Sequence, residues 1–163
     1  MGGVHKTIER QRSSPMTSLL IAIHVLAAVL LMGPVMITVS AYQGQMMKAK
    51  DGDAKALGAA TTLHRLTSQY GPLSAIVPVA GIAVFLTNLS AFGSEGRFHF
   101  SILLAVIAWV ILIAVIIPRQ KKTLAALEGG DQVVDFAKEK KQLSMFGGIF
   151  NLLWIITALL MFV

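Results

Sequence analysis

The sequence predicts an all-α polytopic membrane protein, in which four transmembrane helices form an antiparallel bundle with two helical loops on the cytoplasmic side. Of its 163 residues, 55% are hydrophobic and only 13% are charged, whereas about a quarter of the residues in a soluble domain are charged. The mean hydropathy is +0.72. The 14 Lys and Arg and 8 Asp and Glu avoid four stretches completely. These stretches are 17–41, 72–92, 100–117 and 145–163.

Each uncharged stretch is long enough to cross a membrane once. A hydrocarbon layer about 30 Å thick needs about 20 helical residues at about 1.5 Å each. An unpaired backbone group in lipid is costly, so a crossing segment is a helix or part of a closed barrel. Unbroken apolar runs such as 102–117 lack the alternation of barrel strands. The sequence therefore predicts four helical spans in a single domain, 1–163, with residues 1–16 as a tail.

Proline predicts where these helices are irregular, because it removes a backbone donor and crowds the preceding turn. The pair Gly33-Pro34 predicts a kink in span one. Gly71-Pro72 and Pro78 predict an irregular start to span two. Span three is the most uniformly apolar and stops at Pro118.

A secretory signal is an alternative reading of the N-terminus. Basic residues precede an apolar run, and Val39-Ser40-Ala41 fits the small-residue rule for cleavage. The apolar run from Met16 is longer than the 7 to 15 residues typical of a signal peptide, which favours a span.

The distribution of basic residues predicts the orientation. The tail and the second loop carry four basic residues, whereas the first and third loops carry ten. The positive-inside rule then places the two long loops in the cytoplasm and both termini outside.

The two long loops contain helical patterns. In the first, 42–71, apolar residues recur at helical spacing, which predicts a helix along the membrane surface or one that continues into span two. In the third, 119–127 can prolong span three, Gly129-Gly130 can stop it, and Asp131 can cap a helix that runs to Lys141. This predicts a projecting helical hairpin, and a solvated polar connection is the alternative.

The second loop, 93–97, is short enough to be a tight turn. It predicts that spans two and three are antiparallel neighbours.

Small and polar residues mark the faces of the spans that contact protein. Helices in lipid associate through close approach of small residues and hydrogen bonds between polar ones. These faces can pack inside the bundle or against another subunit. The ten candidates are His24, Ala28, Ser74, Gly81, Asn88, Ser101, Ala105, Gly147, Asn151 and Trp154.

Two histidines are the candidates for ligand chemistry. His24 lies about 10 Å into span one at helical rise, and His99 begins span three on the same predicted side. Two imidazoles that met across the bundle could hold a haem iron or a copper ion. The alternative is that His24 bonds a neighbouring helix and His99 belongs to an interfacial belt.

The sequence contains no motif for proton transfer, nucleotide binding, hydrolysis or Cys-ligated metal binding. No span carries Asp, Glu, Lys or Arg, which are the usual marks of a proton path. Nucleotide, metalloprotease and hydrolase motifs do not occur. Cysteine is absent, which excludes a disulfide scaffold and a Cys-ligated metal site. We therefore expect no catalytic residues, metal or cofactor.

The net charge of +6 does not indicate nucleic acid as a partner, because the basic residues cluster beside span ends. Anionic lipid headgroups attract such residues by about 1 kcal/mol each.

His24, Leu26-Ala27-Ala28 and Leu31-Met32-Gly33-Pro34 carry a resemblance to known proteins. The chain resembles the small four-helix integral membrane proteins of unknown function that are widespread in bacteria. It is also similar to the accessory subunits of the actinobacterial respiratory supercomplex, in which a cytochrome bcc complex is joined to an aa3-type oxidase. That resemblance implies a bacterial plasma membrane and a peripheral role in electron transport without a redox centre, and it implies no functional residues.

The leading hypothesis is a non-catalytic accessory subunit that contacts larger membrane subunits, respiratory ones in particular, and anionic lipid. One alternative is a haem or copper carrier that uses His24 and His99. Another is a small homo-oligomeric transporter for a neutral solute, because four spans per protomer would need several copies to enclose a path.

Overall fold

Four long helices make up the computed structural model, which describes residues 15–87, 89 and 96–161. No strand occurs in these residues, so the all-α prediction is confirmed. Each helix is long and apolar enough to cross a membrane, by length and composition. They are α1 (Pro15–Lys50), α2 (Ala54–Thr87), α3 (Gly96–Leu127) and α4 (Phe136–Leu160).

The helices extend beyond the predicted spans at the end where the two long loops lie. Helix α1 has 36 residues, a length of about 54 Å at about 1.5 Å per residue, whereas the hydrocarbon layer is about 30 Å thick. We call the four-helix part formed by residues 42–73 and 118–144 the projecting end.

Both π-helical segments of the structure precede a proline. In α1 the segment is Ala28–Met32, before Pro34, and in α3 it is Leu112–Ile116, before Pro118. The proline ring crowds the carbonyl four residues earlier, and in both helices that carbonyl falls within the π-helical segment. The irregularity predicted at Gly33-Pro34 thus takes the form of one widened turn.

Helix α2 is broken at Ser74–Ala75, as the prolines of span two predict. The carbonyl of Gly71 accepts a hydrogen bond from Ser74 Oγ at 2.6 Å and another from Trp109 Nε1 at 3.2 Å. The N–H of Val77 donates to Ser74 O at 3.0 Å, in place of the N–H that Pro78 lacks. Side chains thus satisfy backbone groups that the break frees, as a lipid environment demands.

The first long loop is helical on both sides of a short turn. Helix α1 runs to Lys50, and Gly52 adopts a left-handed φ of 96°, which glycine tolerates without steric cost. Asp53 then caps α2 by accepting from the N–H groups of Lys55 and Ala56 at 2.9 and 3.1 Å. Of the two predicted alternatives, the helix that continues into span two is therefore the one observed.

In the third loop, the residue that caps the N-terminus of α4 differs from the prediction. Helix α3 continues to Leu127, as expected, but α4 is capped by Asp135, whose Oδ1 accepts from the N–H of Lys138 at 3.0 Å. The assignment of Asp131 as cap was wrong. The helix begins at Phe136, whose ring packs against the core. The β-branched residues Val133 and Val134 remain outside the helix.

Residues 93–95 of the predicted tight turn lie outside the described residues. The last two residues of that loop, Gly96 and Arg97, begin α3.

The contacts between helices follow the order expected of an antiparallel bundle. From α1 to α2, His24 contacts Val77 and Thr38 contacts Thr67, so residue numbers run in opposite directions. From α2 to α3, contacts pass from His64–Gln120 to Phe85–His99 in the same reversed order. The largest fully buried side chains include Tyr42, Phe150, Met46, Leu112, Ile116 and Leu143.

Candidate functional site

A cavity of about 90 Å³ lies between all four helices, within the predicted spans. Its lining combines a few polar groups with an apolar majority. The lining residues are His24, Ala28, Val77, Pro78, Gly81, Ser101, Ile102, Ala105, Trp154, Thr157, Ala158 and Met161.

The structure brings six of the ten sequence-predicted residues together at this cavity. These six are His24, Ala28, Gly81, Ser101, Ala105 and Trp154. Three others do not line the cavity: Ser74, Gly147 and Asn151. Asn88 lies outside the described residues. Whether any of the ten contacts another subunit stays a prediction.

His24 is held by α2. Its Nδ1 lies 3.0 Å from the carbonyl oxygen of Val77. A Cβ atom at Gly81 would lie 3.1 Å from His24 Cε1, so a glycine here lets the imidazole pack directly on the helix backbone. The carbonyl oxygen only accepts, so Nδ1 donates and the Nε2 of a neutral ring is left as an acceptor.

His99 has different surroundings from His24. Its ring packs edge-to-face on Phe85, with centroids 4.9 Å apart and an interplanar angle of 78°. In the described part of the chain, no three His, Asp or Glu residues gather closely enough to hold a metal ion. Joint ligation of a haem or copper by His24 and His99 stays a prediction.

Asn151 lies at a second feature, a shallow and largely open depression between α1 and α4 that we call the α1–α4 cleft. Its Nδ2 donates to Ser40 Oγ at 2.8 Å, and Ser40 in turn donates to Met36 O at 2.7 Å. Ser40 is exposed and Asn151 is partly exposed. The cleft is lined by Met36, Ile37, Ser40, Ala41 and Asn151.

The projecting end holds buried polar contacts that the sequence reasoning missed. The hydroxyl of Tyr42 donates to the carbonyl of Gln120 at 2.8 Å and lies 2.8 Å from Thr123 Oγ1. All three residues are fully buried. Gln120 Oε1 lies 3.3 Å from Nδ1 of His64, while Gln120 Nε2 has no partner among the described residues. The i, i+3 spacing of Gln120 and Thr123 on the predicted extension of span three was the available signal.

An ion network joins α3 to α4 at the same end. Arg119 donates to Glu139 Oε2 at 2.8 Å and also bonds Gln142. Lys122 lies 3.4 Å from the other oxygen of Glu139. The Glu139 side chain is only 8% exposed, so these two cations supply the charge that a buried carboxylate needs.

Together these features define a class: a polytopic helical protein with four potential membrane spans, a small cavity between them and a polar projecting end. No family model, no curated protein and no solved structure matches this chain.

Proposed function

We propose that this chain is a non-catalytic accessory subunit of a larger membrane complex, and that the α1–α4 cleft receives a transmembrane helix of its partner. The observation that carries the proposal is the Ser40–Asn151 pair, a hydrogen-bonded polar pair on the outward face of two predicted spans. Asn151 lies about 9 Å inside span four at helical rise. Polar groups at such depth favour contact with protein over lipid.

Small residues at and beside the cleft support close approach of a helix. Ser40 and Ala41 line it on α1, and on α4 the exposed Gly148 lies three residues before Asn151. An added Cβ at Gly148 would meet no atom within 4 Å. Small residues in a span let a second helix approach closely.

A twofold axis places the same patch on both sides of an interface, so a homodimer at this face would bring the Ser40–Asn151 pairs of two copies together. The proposal commits to a helix of a different protein, and a homodimer is an outcome that contradicts it.

The orientation proposed for this role places the projecting end in the cytoplasm of a bacterium, where the ten basic residues of the long loops meet anionic headgroups. The resemblance to accessory subunits of a bcc-aa3 supercomplex makes respiratory subunits the first partners to test.

The substitution Gly148→Leu is expected to release the partner. Gly148 is exposed and lies three residues before Asn151 on α4, so a leucine there adds bulk to the surface beside the cleft. We expect the yield of a stoichiometric partner subunit to fall about tenfold when the tagged chain is purified in mild detergent. The control is Val79→Leu, which changes a 63% exposed position on α2, away from the cleft.

Equal recovery of the partner with both variants would contradict docking at the cleft. A wild-type chain that purifies alone, as a monomer or as a homodimer, would contradict the accessory role itself. Respiratory subunits in the wild-type sample would identify the complex.

The orientation has its own test, because the chain contains no cysteine. We expect a cysteine at Val133, which is 99% exposed in the third loop, to react with a membrane-impermeant maleimide only after the cells are opened. A cysteine at Gly96, exposed at the other end of the bundle, should react in intact cells. The reverse pattern would contradict a cytoplasmic projecting end.

A further inference from the structure

The cavity between the four helices has an almost entirely apolar surface. The hydroxyl groups of its lining residues are bonded to backbone, and Ser101 donates to Phe98 O at 2.9 Å. Thr157 donates to Leu153 O at 2.8 Å. The Nδ1 of His24 likewise lies 3.0 Å from a backbone carbonyl oxygen of α2. A water molecule in a cavity needs about two to four polar partners, so this cavity favours an apolar occupant.

Small residues create this space, and each of the four helices contributes one of them. In chain order they are Ala28, Gly81, Ala105 and Ala158. Small residues in membrane helices usually let two backbones approach closely. Here four of them line the same space, and no larger side chain fills it.

Irregular backbone shapes two walls of the cavity. Ala28 is the first residue of the π-helical segment in α1, and Pro78 follows the break of α2 at Ser74–Ala75. Both features turn a helix away from the straight path of regular side-by-side packing. π-Helical turns are also frequent at functional sites. The cavity therefore follows from the backbone of two helices as well as from the size of the side chains.

The size of the cavity limits what it can hold. An engineered apolar cavity of about 150 Å³ stays dry and binds benzene, a molecule of six carbons. In proportion, the cavity of about 90 Å³ holds about three to four carbons. Met161, which is 40% exposed, belongs to its lining. An apolar molecule dissolved in the membrane can enter past this side chain.

We propose that the cavity binds a small apolar molecule, of about three to four non-hydrogen atoms, that is dissolved in the membrane. Binding gains the dispersion contacts that lining atoms lack when they face a void. A larger molecule does not fit, so the site selects by size. The proposal rests on the cavity alone and does not depend on a partner in the α1–α4 cleft.

The test adds cyclopropane or benzene to the full chain in detergent micelles. Cyclopropane has three carbons and fits the cavity, whereas benzene has six and does not. The ¹³C-labelled methyl group of Met161 reports binding, and Met161→Leu identifies its resonance among the eight methionines. We expect cyclopropane to shift this resonance saturably, with an affinity about tenfold above that of benzene.

Two variants fill the cavity from different helices. Ala105→Leu and Ala28→Leu each add three carbons to the lining, so each should abolish the saturable shift, and the second variant decides the test if the first does not fold. The matched control is Ala114→Leu, at an exposed position of α3 that does not line the cavity, and it should bind cyclopropane as the wild type does.

Three results would overturn the proposal. They are the absence of a saturable shift with cyclopropane, equal affinity for cyclopropane and benzene, and a shift that survives in a folded cavity variant. Loss of the shift in Ala114→Leu would also contradict binding at the cavity.

Discussion

Replacement of Phe150 by alanine is expected to lower the free energy of unfolding by about 2–3 kcal/mol. Phe150 is fully buried on α4 and packs edge-to-face on Trp154, with ring centroids 6.4 Å apart. Because lipid is as apolar as the core, the loss comes mainly from the cavity that is left. At about 24 cal/mol per Å³, a void of roughly 100 Å³ gives this magnitude.

The measurement is equilibrium unfolding of the detergent-solubilised chain, followed by loss of helical circular dichroism. Phe100→Ala is the matched control, because Phe100 is 51% exposed on α3, and it should change the unfolding free energy by less than about 0.5 kcal/mol. Equal losses for the two variants would contradict the packing described for α4.

A leucine at Gly147 is expected to destabilise the chain by about 1–3 kcal/mol, the usual cost of overpacking. A Cβ atom at Gly147 would lie 3.0 Å from Val39 Cγ1 and 3.7 Å from Val39 O. Val39 is itself buried on α1, so it cannot move without a shift of the helices. The larger side chain therefore forces α1 and α4 apart.

The neighbouring glycine provides the control, with the same unfolding assay. Gly148 is exposed, and an added Cβ there meets no atom within 4 Å. Gly148→Leu should therefore leave stability within about 0.5 kcal/mol of the wild type. If it destabilised the chain as much as Gly147→Leu, its effect on partner recovery could not be attributed to docking.

Several features of the fold were predictable because they depend on residues close together in the chain. The absence of charge from 17–41 and the other three stretches predicts the spans, since membrane insertion depends on hydropathy summed along one segment. Pro34 and Pro78 predicted irregular helices because a proline acts on its own preceding turn. The sequence also selected His24, Gly81 and Trp154, although it did not place them at one cavity.

The N-cap of α4 could not be predicted from the sequence, because two nearby aspartates compete for it. Asp131 and Asp135 are both able to cap a helix. The choice of Asp135 came with the packing of Phe136 against the core, which a local pattern does not reveal.

The sequence by itself determined that this protein has four apolar helical segments and where small and polar residues lie along them. Only the tertiary structure decided which of those residues meet. Tyr42 and Gln120 are 78 residues apart in the chain yet share a hydrogen bond, and His24 and Trp154 line one cavity. Hydropathy is a sum along one helix, whereas contacts depend on how each helix is rotated and shifted against its neighbours.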